Sequence, residues 1–114
     1  MPFATIGQPM PRAADAYATA DKRQGWILAA AGHREEWARV FHAGSHDSER
    51  IWAAIAAAVI DAPVSVVHDR APHGVVRGVD ITLTINDLTA WVATAWHYSD
   101  ADAAPRLVTA YPSA

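Results

Sequence analysis

Six histidines, His33, His42, His46, His68, His73 and His97, are the most conspicuous chemical resource of this 114-residue chain. Imidazole can ligate a metal or move protons near neutral pH. Here the spacing argues against metal. His42 and His46 stand four apart in "HAGSH", but Gly44 and Ser45 between them break the helix that would put both rings on one face. No HExxH pair occurs, and "HDSE" reads as the opening of a helix. The absence of cysteine removes thiolate zinc sites, iron–sulfur clusters, disulfides and thiol nucleophiles together. Neither GxGxxG nor GxxxxGK[ST] is present to cradle a phosphate, and no GxSxG supplies a nucleophile elbow. The sequence therefore predicts no metal and no cofactor.

What remains is chemistry that side chains can do unaided. Cleavage of RNA through its own 2′-hydroxyl fits that limit, because the substrate brings the nucleophile. The protein then supplies a general base, a general acid, and donors or cations for the charge on the phosphorane. His97, Thr109 and Tyr111 form the candidate catalytic group, the histidine as base or acid and the hydroxyls as orienting groups. His33, Arg34, Arg77 and Thr94 are the candidate phosphate- and substrate-binding residues, arginine because its fork engages two oxygens. Each has a plain alternative. His97 suits a partly exposed strand position with one hydrogen bond, and Thr109 and Tyr111 are good strand formers. Arg77 beside Gly78 suits a solvated side chain at a bulge, and Arg34 in "HREE" suits a solvated helix start. Trp26, Trp37 and Trp52 fall at helical core positions rather than on a base-stacking surface.

The elements that must position these residues divide at Pro63. Before it, the pattern is irregular and then helical. Residues 1–15 hold three prolines and one glycine within their first fourteen and read as an extended lead-in to a single domain over 16–114, with Ala16-Tyr17-Ala18 as a short extended piece. Three helices follow. "TADKRQGWILAAAG" (19–32) is capped at Thr19 or Asp21 and stopped at Gly32. "HREEWARVFHAG" (33–44) carries Trp37, Val40 and Phe41 at i, i+3, i+4 and stops at Gly44. "SHDSERIWAAIAAAVID" (45–61) is capped at Asp47 and turns Ile51, Trp52, Ile55, Ala58 and Val59 inward. After Pro63 the period falls to two, giving strands over 64–69, 75–85, 89–99 and 106–112, joined by turns at "APHG" and Asn86-Asp87. Trp91 and Trp96 fall on opposite faces of the third strand, which implies cover on both sides; Thr109 and Tyr111 share a face. Helices followed by a run of antiparallel strands predict an α+β domain, three N-terminal helices packed on a four-stranded antiparallel sheet.

Composition bounds the partners. A 52% hydrophobic and 18% charged chain is globular, and a net charge of −3 with a pI near 6.0 lacks the overall basicity of a nonspecific nucleic-acid binder, leaving room only for a local basic groove. The longest apolar stretch, "IWAAIAAAVI" (51–60), is too short for a bilayer, and no basic segment followed by an apolar core opens the chain. The expectation is a cytoplasmic protein with no membrane partner, a secreted effector domain being the alternative.

Five segments carry a family likeness: "DKRQGWIL" (21–28), "GHREEWARVF" (32–41), "DSERIWAAI" (47–55), "VATAWHY" (92–98) and "APRLVTAYP" (104–112). In these the chain resembles the uncharacterised bacterial family called domain of unknown function 6883, over about residues 17 to 112, the terminal segment being the most specific. Arg34 stands where the family pattern has lysine, and "INDLTA" is poorer in glycine and proline than the corresponding family loop. The layout is similar, more distantly, to the barnase, EndoU, colicin and RelE-like group of small RNases, many of them toxin domains. That likeness implies a toxin acting on structured RNA, with a cognate immunity or antitoxin protein as partner. It also implies that Thr109 and Tyr111 lie on the working face. A non-catalytic interaction module of the immunity or antitoxin type, or an accessory domain, is the competing expectation. Pairing of a sheet edge into a homodimer is also open.

Overall fold

The change of period at Pro63 is the change of architecture. The structure, a computed structural model, describes residues 6–19 and 33–112, and of His33, Arg34 and Ser45 the backbone alone. Two helices, α1 (His33–Phe41) and α2 (Ser48–Ala58), are followed by β1 (Val64–Asp69), β2 (Val75–Ile85), β3 (Leu88–Tyr98) and β4 (Arg106–Pro112). The strands form one antiparallel sheet in the order β1-β2-β3-β4. The protein is thus an α+β domain with a four-stranded antiparallel sheet and two described helices. The helix expected over 19–32 falls, but for Thr19, outside the described residues. Among the described residues, no helix is long and apolar enough to cross a membrane.

Each helix presents one apolar face to the same side of the sheet. In α1, Trp37 and Phe41 lie one turn apart, stack with centroids 5.5 Å apart and are fully buried. The Trp37 indole N–H donates to the Ala110 carbonyl and so ties α1 to β4. In α2, Ile51 and Ile55 are fully buried, as is Val59 at its C-cap, and Trp52 meets Trp96 of β3 with ring centroids 6.2 Å apart. The sheet answers with Val79, Ile81, Leu83, Ile85, Val92, Trp96, Tyr98, Leu107 and Ala110, all buried on that face. The lead-in belongs to this layer too. Met10 and Ala13 are buried in the core, and the Tyr98 hydroxyl donates to the Pro11 carbonyl. Burial pushes that phenol up to about 12, against the opposing pull of the Arg77 guanidinium.

Several boundaries differ from expectation: the lead-in holds a 3-10 turn over Ala13–Asp15, α2 ends at Ala58 rather than at 61, β3 is Leu88–Tyr98 rather than 89–99, and two further differences have a clear local reason. α1 ends at Phe41 rather than at Gly44, because His42 takes a φ of 55° and stops the helix where glycine was expected to. The third expected helix opens as a 3-10 turn over Ser45–Asp47 and becomes α-helical at Ser48. Asp47 stands at the cap position, but its carboxylate turns backward. Oδ2 accepts the Gly44 N–H at 2.9 Å, and Oδ1 accepts from Arg50 at 2.7 Å. These hydrogen bonds, the Gly44 amide first, outweigh burial and hold the Asp47 carboxyl below its ordinary value.

A depressed carboxyl pKa stabilises the fold above its unfolded value, and the gain is lost as pH falls through the folded value. Asp47→Ala is expected to lower stability by about 1–3 kcal/mol at pH 7, the range for leaving the Gly44 amide without its acceptor. Asp47→Asn should cost less. Its deficit against wild type should shrink as the pH falls below about 4, where the carboxyl of the unfolded wild-type chain protonates while the folded one is held lower. Urea denaturation of the three proteins at pH 7 and pH 3.5 measures both effects.

Candidate functional site

The opposite face of the sheet carries no described helix, and its residues can be read directly from the strand register. The turn Asn86-Asp87, with φ of 53° and 65°, is the two-residue left-handed type that fixes an antiparallel hairpin. It sets Ile85 against Leu88, and the pairing then runs unbroken to Val75 against Tyr98. On the open face this places Thr84 beside Thr89, with hydroxyls 2.7 Å apart, then Thr82 beside Trp91, Asp80 beside Ala93, Gly78 beside Ala95, and Val76 beside His97.

The edge strands complete these rows through two bulges. In β4 the register shifts between Ala95 and Trp96, so Val108 is an extra residue. Strict alternation would put Arg106 and Thr109 on opposite faces. The bulge instead sets Thr109 against Ala95 and Arg106 against His97, both on the open side, with Leu107 buried behind. In β1 the shift falls between Val64 and Val66, and Ser65 is the extra residue, its hydroxyl donating to the Gly78 carbonyl. Val64 therefore faces the core while Val66 and His68 face outward against Gly78 and Val76. The result is a polar row, His68–Val76–His97–Arg106, across all four strands. Beside it runs a low row, Val66–Gly78–Ala95–Thr109, and then Asp80–Ala93–Tyr111.

The small residues at the centre make the face concave. A trough of about 310 Å³ has Gly78, Ala93 and Ala95 as its floor, with Val66 and His68 on one side and Thr109 and Tyr111 on the other. Gly78 is needed there, since a Cβ would come within 2.5 Å of Val66 Cγ1. His97 is held from above by the β1–β2 loop, its Nε2 meeting the His73 carbonyl at 2.5 Å. A carbonyl only accepts, so Nε2 carries the proton and Nδ1 keeps its lone pair in the neutral ring. The loop is tied down by Arg70 N–H to Gly74 O, His73 N–H to Arg70 O, and Ala71 N–H to the Asp69 carboxylate. Gly74, at φ 90°, packs so close to the Tyr98 carbonyl that a Cβ would overlap it.

His97, Thr109 and Tyr111 thus share the open face. Arg77 and Thr94 do not; they lie on the helix side. Arg77 is 7% exposed rather than a solvated residue at a bulge, its guanidinium 4.3 Å over the Tyr98 ring. Thr94 Oγ1 donates to the Val79 carbonyl and accepts the Trp96 indole N–H, so both of its hydrogen-bonding capacities serve the core. The side chains of these two residues therefore turn away from the open face, although Thr94 also borders the trough. His33 and Arg34 begin α1, and their side chains lie outside those described. Cover on both faces of the sheet is not what Trp91 meets: it is 57% exposed. Two residues not singled out as site candidates, His68 and Arg106, join the polar row. The only signals for them were the apolar doublets Val66-Val67, just after the β1 bulge, and Leu107-Val108, at the β4 bulge, which break the alternation. Among the described residues, no three His, Asp or Glu side chains are grouped to hold a metal ion.

Thr94→Val is expected to cost about 1–3 kcal/mol in urea denaturation, because the buried Trp96 N–H loses its acceptor. Comparison with family models, with curated proteins and with solved structures gave no match.

Proposed function

We propose that this chain is a metal-independent RNase-like domain of the toxin type, cleaving structured RNA by transesterification from the ribose 2′-hydroxyl. One observation carries the reading. Two histidines and an arginine lie in a single row across the open face of the sheet, His68 in the wall of the trough and His97 and Arg106 further along the row, with Thr109 in the adjoining row. Twice the strand spacing separates the backbones of His68 and His97, about 10 Å, a gap that two side chains reaching inward can close on one phosphate.

In this reaction His97 Nδ1 takes the proton from the 2′-hydroxyl, and O2′ attacks the phosphorus. The bond from phosphorus to O5′ breaks, and His68 in its protonated form donates to the departing O5′. The products are a 2′,3′-cyclic phosphate and a 5′-hydroxyl, and the two imidazoles end in exchanged protonation states that solvent resets. Arg106, cross-strand neighbour of His97, provides a two-donor fork for the equatorial oxygens. The Thr109 and Tyr111 hydroxyls orient the ribose and phosphate. The Nε2–His73 hydrogen bond supports the assignment of base, because it fixes the tautomer that leaves Nδ1 as acceptor. With this reading go the proposed likeness to domain of unknown function 6883 and to the small RNase toxins, and an immunity or antitoxin protein as natural partner.

The test is incubation of the purified protein with total bacterial RNA in EDTA, followed by mapping of the fragment ends. Wild type is expected to leave 2′,3′-cyclic phosphates. His97→Ala should reduce the rate by about 10²–10⁴-fold, the usual contribution of a positioned acid or base. Arg106→Ala should cost about 10²-fold, with partial recovery in Arg106→Lys. Cleavage that is intact in His97→Ala removes the assignment, and no cleavage by wild type across varied RNAs removes the activity.

A further inference from the structure

The trough does not end at Tyr111. Beyond it the open face leads to Trp91, a tryptophan 57% exposed and unused by the chemistry above. A cavity of about 460 Å³ borders this indole, between Ile6, Pro63 and Ser65, with Asp80 in its wall. Asp80 and Ser65 also line the trough, so the two spaces adjoin. A second cavity, of about 360 Å³, borders Trp91 and Asp80 from the direction of Ala58 and Ala62 at the end of α2. Asp80 pairs with Ala93 and Thr82 with Trp91, which makes Asp80 and Trp91 diagonal cross-strand neighbours on one face.

We propose that this end of the sheet is a distal base-binding subsite: a single-stranded stretch of RNA lies along the trough, with an amine-bearing base stacked on Trp91 and hydrogen-bonded to Asp80. The proposal rests on the RNA-cleaving reading of the His68–His97–Arg106 row and adds to it the kind of substrate. Six residues of extended strand separate Trp91 from His97, about 20 Å, which is the reach of several nucleotides rather than one. Base pairing would bury the ring faces and edges that an aromatic platform and a carboxylate can read, so the bound segment is unpaired. The charge pattern sets its direction across the face. Arg106 and the histidines occupy the reacting end, while Asp80 at the other end repels phosphate. The backbone therefore runs on the Thr109–Tyr111 side, and the base turns toward Asp80. An ionised carboxylate only accepts hydrogen bonds. It favours the exocyclic amines of cytosine, adenine and guanine over uracil, whose single N–H lies between two carbonyl oxygens.

Cytosine and uracil differ mainly in that amine and so make the cleanest probes. Fluorescein-labelled 2′-O-methyl oligocytidine and oligouridine, which lack the attacking hydroxyl, are titrated with the full chain by fluorescence anisotropy at low salt. Wild type is expected to bind oligocytidine at least about fivefold more tightly. Trp91→Ala should weaken binding of both by about tenfold, and Trp91→Phe should retain most of it. Asp80→Asn should abolish the difference between the two by raising the affinity for oligouridine. Wild-type affinity retained in Trp91→Ala, equal binding of the two oligonucleotides by wild type, or no binding of either overturns the subsite. Because the probes cannot be cleaved, the two readings fail separately. Binding as described without cleavage of natural RNA removes the catalytic assignment alone. Cleavage lost in His97→Ala, with Trp91→Ala binding like wild type, removes the subsite alone.

Discussion

The registry of β2 against β3, set by the left-handed pair Asn86-Asp87, is the constraint from which the other features follow. Side chains alternate with a period of two, so a slip of one residue would exchange the contents of the two faces. Trp96 and Val92 would then meet solvent, and Ala93, Ala95 and His97 would meet the helices. The turn is itself anchored from the helical layer. The Asn86 side chain donates to the Phe41 carbonyl where α1 stops, and accepts from Arg50 of α2. Arg50 in turn holds Asp47, which holds the amide of Gly44. The end of one helix, the start of the next and the tip of the central hairpin therefore form one hydrogen-bonded assembly. The left-handed stop at His42 delivers the chain into it.

That central hairpin was legible in the sequence because nothing interrupts its alternation. Val79, Ile81, Leu83 and Ile85 mark one face, Asp80, Thr82 and Thr84 the other, and Asn-Asp marks the reversal. That Thr109 and Tyr111 share a face was legible from their two-residue spacing, but their alignment with His97 depends on the β3–β4 register. Arg106 and His68 were not legible in the same way. Period-two reasoning carries each across a bulge and assigns it to the wrong face, because a bulge is a property of a strand pair and leaves only an apolar doublet in the single chain. Arg77 illustrates a second limit. Charge argues for solvent, but a long side chain can bury its stem and lay its guanidinium on an aromatic ring, here Tyr98. Thr94 illustrates a third, since its hydroxyl is claimed by a tryptophan two residues along its own strand, a contact that composition does not signal.

The two faces of the sheet divide the labour of the molecule. One is sealed by Trp37, Phe41, Ile51, Ile55 and Trp96, with its few polar groups satisfied internally by Thr94, Tyr98 and Arg77. The other keeps small residues at its centre, with His68, His97 and Arg106 toward one end and Trp91 among Asp80, Thr82, Thr84 and Thr89 toward the other. Gly78 stands at the meeting of these roles. It lets Val66 approach closely enough for β1 to pair after its bulge, and it leaves the trough its depth.

The bulges that bring His68 and Arg106 into line also settle how the sheet behaves toward other chains. An open four-stranded sheet has two edges, and a long flat edge invites another strand to add to it. Here β1 is interrupted at Ser65 and its beginning is bridged by Ile6 and Pro9 of the lead-in. β4 is interrupted at Val108, is bridged by Tyr17 at its beginning and reaches Pro112 at its end. Neither edge offers a long unbroken row of donors and acceptors for a further chain. The local irregularities that assemble the polar row thus also interrupt both edges of the sheet, so edge protection and the alignment of that row depend on the same two bulges.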